Sequence, residues 1–233
     1  MIPLRDDNPT RSFPAVTIGL IILNVAAFVY EMSLPPDGLE TLFLQMGVVP
    51  SEVTAGLRSG GPLDVWLTPL TSMFLHGGVA HLLGNMLYLW IFGNNIEDLL
   101  GPIRFLIFYV ITGLGAVAGQ VAASPHSGIP MVGASGAIAG VLGAYLAMFP
   151  HARVLTLVPL GFFIRIVHLP AWLMLGFWFL YQVLLSMFPG ERGGGVAFFA
   201  HIGGFVSGLI LIWVFRLGRA ARSSRTLERF DRR

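Results

Sequence analysis

Several polar side chains stand in an otherwise apolar chain where they could do chemistry together. They are His76, His81 and Asn85 in "FLHGGVAHLLGNMLYLW", Ser135 in "MVGASGAIAG" and His201 in "AFFAHIGGFVSG". Serine is a weak nucleophile that neutral imidazole activates near pH 7, and attack on a carbonyl needs donors aimed at the developing oxyanion. Ser135 as nucleophile and His201 as base supply the first requirement. His81, Asn85 and the backbone N–H of Ser135 supply the second. Glu31 only marks the end of an apolar run, and no acid falls inside a run at the same depth, so the pattern implies a Ser–His dyad without a third carboxylate. Packing is the competing explanation for Ser135, because Gly136-xxx-Gly140 is a helix-contact pattern; a hydrogen-bonded structural role competes for each His.

Other hydrolytic chemistry is poorly supplied. The chain has no cysteine, no H-E-x-x-H zinc motif and no pair of intramembrane aspartates, and "GASGA" puts Ala137 where G-x-S-x-G requires glycine. His76 and His81 with a carboxylate are a weak metal option, since five residues apart on a helix they diverge. No metal site and no organic cofactor are implied.

The elements that must position these groups are membrane spans. Of 233 residues, 55% are hydrophobic and 11% charged, with a mean hydropathy of +0.76, which excludes an ordinary soluble domain. Runs of about 20 apolar residues can cross a hydrocarbon core. Six qualify, at approximately 13 to 31, 74 to 93, 104 to 123, 132 to 149, 169 to 188 and 196 to 216. The first lacks a cleavage site of small residues and is expected to be a retained helix. The apolar stretch from Val154 to Ile164, bounded by Arg153 and Arg165, is too short to span and is placed at the interface.

All 14 basic residues are Arg. With the N-terminus inside, Arg5, Arg11, Arg104, Arg153, Arg165 and the seven from Arg216 to Arg233 are cytoplasmic, against Arg58 and Arg192 outside. Both termini are therefore expected in the cytoplasm. The expected layout is an N-terminal tail at 1–12, a six-helix domain at 13–217 and a basic tail at 218–233. That tail suits anionic lipid better than nucleic acid. In the long outer loop, about 32–73, Leu39, Leu42, Phe43 and Met46 recur at helical spacing, predicting one amphipathic surface helix followed by a turn at "SGGP".

This topology puts His81, Ser135 and His201 within about two turns of the outer surface. Phase agrees: His81 and Asn85 share a face, and His201 lies beside a Gly204-xxx-Gly208 groove that lets the fourth and sixth spans approach.

In "HGGVAHLLGN", "GASG" and "AHIGG", in that order and spacing, the chain resembles the rhomboid family of intramembrane serine proteases over nearly its whole length. The resemblance implies an all-α six-transmembrane bundle with Ser135 as nucleophile and His201 as general base. It implies an oxyanion site of His81, Asn85 and backbone amides, and Gly133 shaping the loop before Ser135. It places His76 as a brace for the first loop and Glu97 as a structural residue near the inner end of the second span. Two departures stand out. Ala139 replaces an aromatic residue that often stacks under the catalytic His, and Trp66 is followed by Leu67 where many members have Arg. The implied substrates are single-pass transmembrane proteins, and a bacterial plasma (inner) membrane is the expected location; the Gly193–Gly195 run by itself suggests a mobile cover over the His201 helix. The rival functions are a silent rhomboid-like protein binding membrane clients, and a channel or transporter, for which midplane charges and paired broken helices are missing.

Overall fold

The computed structural model describes residues 1–160, 163–187 and 197–217. Gly193–Gly195, expected as a cover, and the basic segment 218–233 lie outside the described residues.

Strand β1 (Ile2–Asp6) precedes helix α1 (Ala15–Met32). Helices α2 (Pro36–Met46), α3 (Pro50–Ser59) and α4 (Leu63–Thr71) follow. A 3₁₀ turn at Ser72–Phe74 leads to α5 (Val79–Tyr88), which continues through a π-helical turn at Leu89–Gly93 into α6 (Asn94–Leu100). Then come α7 (Pro102–Ala123), α8 (Ser135–Met148), strands β2 (Arg153–Leu160) and β3 (Phe163–Pro170), and helices α9 (Ala171–Ser186) and α10 (Phe198–Phe215). Pro36, Pro50 and Pro102 open their helices, where a missing N–H costs nothing.

Among the described residues, α1, α7 and α10 are long and apolar enough to cross a membrane, and α8 and α9 are shorter apolar helices. The protein is an integral membrane protein. Helix α8 runs through the middle, with every residue from Gly136 to Tyr145 buried. It packs against α7 and α10 along glycines: a Cβ at Gly204 would collide with the Gly136 carbonyl, and one at Gly208 with that of Gly140. Without a strong hydrophobic drive between helices in lipid, such close backbone contact is what dispersion can use.

Three expectations need correction. The fold is mostly helical but not all-α, because Arg153–Leu160 and Phe163–Pro170 pair as antiparallel strands. Residues 2–6, within the expected N-terminal tail, pair with β2 as the third strand, in the order β1-β2-β3. The cause is local: Val154, Thr156, Val158, Ile164, Ile166 and Val167 are β-branched, Pro159 blocks a helix, and Val154 and Thr156 are buried at a period of two. The segment expected as the long outer loop holds three helices rather than one, with "SGGP" as the α3–α4 turn and Gly60 at φ 78°. Finally, the second apolar run becomes helical only at Val79, so His76 precedes the helix.

Candidate active site

Ser135 is the first residue of α8, with its backbone N–H in the free first turn. The loop that delivers it is pinned by the segment that carries α2, α3 and α4 and the 3₁₀ turn after them. Val48 and Met131 exchange backbone hydrogen bonds of 3.0 and 2.8 Å, Ser51 N–H donates to the Ser127 carbonyl at 3.0 Å, and Gly133 N–H donates to the Ser72 carbonyl at 2.8 Å. The missing Trp–Arg pair therefore leaves no unanchored loop; Trp66 covers Gly56 and Gly61, and its Nε1 donates to the Gly61 carbonyl at 3.3 Å.

The glycine groove brings α10 against α8 and sets His201 Nε2 2.8 Å from Ser135 Oγ. Their Cα positions are 66 residues apart in sequence, so only tertiary packing makes this pair. Both line a cavity of about 650 Å³ that also includes His81, Asn85, Gly133 and Trp178. Gly133 has φ 127°, and a Cβ there would lie 2.7 Å from His81 Cε1 and 2.8 Å from Nε2. Glycine is thus required twice, for the backbone conformation and for the imidazole beside it.

Asn85 and His76 are joined directly, Asn85 Nδ2 donating to His76 Nε2 at 2.9 Å. The His76 and His81 rings meet edge to face with centroids 5.1 Å apart, which corrects the divergence expected from helical phase: His76 lies before the helix and folds back. Glu31 does more than mark the end of its span. Buried at 2% exposure, it accepts the His76 backbone N–H at 3.2 Å. Among the described residues no three His, Asp or Glu side chains are grouped to hold a metal ion.

The remaining sequence candidates sit elsewhere with distinct jobs. Glu97, 1% exposed, accepts from Val16 N–H at 2.9 Å and from Thr17 N–H and Oγ1 at 2.8 Å each, fastening α6 to the start of α1. Gly136, Gly204 and Gly208 form the close helix contact.

A search limited to ionisable side chains misses two residues of α9. Gln182 Oε1 is 2.8 Å from His201 Nδ1. The Trp178 ring packs 5.8 Å from the His201 ring at 38°, so an aromatic residue arrives from α9 while Ala139 is fully buried. The signal was a lone carboxamide, four residues after a Trp, in an apolar run. Gln120 on α7 is a third omission; its Oε1 accepts from Ala200 N–H at 3.2 Å, just before His201.

With this geometry in hand, comparison with known proteins is decisive. The Rhomboid domain model matches residues 64–218. The chain belongs to the rhomboid family. It is 33% identical over 162 residues to Rhomboid protease GluP of Bacillus subtilis, covering 70% of this chain and 28% of that one. It is 30% identical over 167 residues to Rhomboid protein 1, mitochondrial, of Saccharomyces cerevisiae, covering 67% and 44%. RHOMBOID-like protein 1 of Arabidopsis thaliana is 31% identical over 228 residues, covering 87% and 54%. The chain thus spans about a quarter to a half of these rhomboid relatives.

Proposed function

We propose that this rhomboid protein is a serine endopeptidase that cuts transmembrane segments near the outer side of the bilayer. The observation that carries the proposal is the 2.8 Å approach of Ser135 Oγ to His201 Nε2 at the wall of a cavity of about 650 Å³. The six spans are α1, the continuous helix through α5 and α6, then α7, α8, α9 and α10, with both termini in the cytoplasm as the Arg distribution requires.

In the proposed reaction Ser135 Oγ attacks the peptide carbonyl carbon while its proton passes to His201 Nε2. The resulting oxyanion is met by the free N–H groups at the start of α8 and by His81 and Asn85. Collapse breaks the C–N bond, and His201 returns the proton to the leaving amine. Water then gives its proton to His201, its oxygen attacks the acyl ester, and Ser135 is regenerated with release of a carboxylic acid. Single-pass membrane proteins are the proposed substrates, in a bacterial inner membrane. Client binding alone would need the fold but not this Ser–His contact.

The test is cleavage of a reconstituted transmembrane substrate, with mass spectrometry locating the cut. Cutting near the outer boundary, lost in both Ser135→Ala and His201→Ala, supports the assignment. Cutting that persists in Ser135→Ala removes the nucleophile.

A further inference from the structure

We infer that Gln182 is a positioning residue for the base: its carbonyl holds His201 in the one tautomer that can take the Ser135 proton. This rests on the proposed protease function and names a third member that the sequence lacks as a carboxylate.

The argument is geometric. Gln182 is 6% exposed and stands behind the cavity that His201 lines, so water reaches the Nε2 side of the imidazole more easily than the Gln182 side. The imidazole has two short contacts, Nδ1 to Gln182 Oε1 and Nε2 to Ser135 Oγ, both 2.8 Å. With the carboxamide oxygen turned toward the ring, as here, Nδ1 carries the ring proton. Nε2 then carries the lone pair, and Ser135 Oγ–H donates to it. The opposite tautomer would put N–H on Nε2 facing the serine, losing the base, and would need the carboxamide to turn its NH2 toward Nδ1 to keep that hydrogen bond.

Orientation comes from the same helix. Trp178 and Gln182 are four apart and share a face of α9, so one element both stacks on the imidazole and grips its far nitrogen. Phe205, one turn beyond His201 on α10, packs against Trp178 at 6.0 Å and Phe179 at 4.5 Å, seating α9 beside the His201 face. A neutral carboxamide fixes geometry without placing a negative charge beside the imidazolium formed during the reaction. That distinguishes it from an Asp or Glu in the same place.

The experiment compares wild type, Ser135→Ala, Gln182→Met and Gln182→Glu on one reconstituted substrate, reading kcat, KM and the pH profile of kcat/KM. Met keeps the length and loses the acceptor; kcat is expected to fall roughly 10- to 100-fold with KM little changed. Glu keeps an acceptor on Nδ1 and adds charge. It should restore most of kcat relative to Met and move the acid limb of the profile to higher pH, because a carboxylate favours the imidazolium. Ser135-dependent cleavage with wild-type kcat in Gln182→Met overturns the inference alone. If the Met variant does not fold, the Glu profile decides: an unshifted acid limb overturns it. Cleavage that survives Ser135→Ala overturns the protease assignment and this inference with it.

Discussion

The two ends of the bundle use buried polar groups in opposite ways. At the end holding Asp6, Glu97 and the sheet, polar groups are saturated: Glu97 takes three donors, and Asp6 Oδ2 accepts from Asn95 Nδ2 at 2.8 Å and Tyr145 Oη at 2.7 Å. Backbone pairing between β1 and β2 closes that end further. At the Ser135 end, about 15 Å away along α8 at roughly 1.5 Å per residue, the polar groups line a cavity. The first turn of α8 keeps free N–H groups there, and His76 Nδ1 is buried without a protein partner among the described residues. In an apolar medium a saturated group is a clamp, whereas one with an open valence is available to a ligand or reacting atom. The same residue types therefore serve stability at one end and, in the proposed protease, chemistry at the other.

The sharpest test of that contrast is Ser135→Ala. It should lower cleavage by roughly 10⁴-fold or more while leaving thermal unfolding in detergent nearly unchanged; a large loss of stability would make Ser135 part of the packing. Glu97→Ala is the converse. Leaving three donors on α1 unpaired should cost about 3 kcal/mol of stability, read by unfolding, with kcat of the folded fraction preserved. An intact Tm would mean the clamp is dispensable.

Gly133→Ala should cut kcat about 100-fold, because the added methyl meets the His81 ring and φ 127° is strained for alanine. Near-normal turnover would show that the loop can relax without moving Ser135. The smallest effect is expected at Asp6. Burial raises its carboxyl above the usual value of about 3.8, outweighing the Tyr145 and Asn95 donors. The folded state therefore favours the protonated form, and the stability this contributes below pH 3.8 is lost as pH rises through the raised value. Asp6→Asn should flatten the dependence of Tm on pH in that window. An unchanged slope would assign it to another group.

Composition and pattern alone determined a membrane protein with a few polar residues in its apolar runs; the family entered through the resemblance of three motifs to a known one. These follow from local facts: apolar run lengths, glycine spacing, and rare polar residues in lipid-facing segments. The sheet escaped because a short apolar run with β-branched residues reads equally as an interfacial segment until β1, from the far end of the sequence, pairs with it. The three helices α2, α3 and α4 escaped because they are short and only partly amphipathic.

At the site, residue identity was legible but partnership was not. Nothing in the spacing of Gln182 and His201 says that a carboxamide on α9 will meet Nδ1, or that Trp178 will supply the aromatic surface missing at Ala139. Nor does it say that His76 folds back onto Asn85. Periodicity fixes which face of its own helix a side chain occupies. Which groups then touch depends on how close the glycines let α8 and α10 approach and how α9 seats against them, and those distances exist only once the helices are packed.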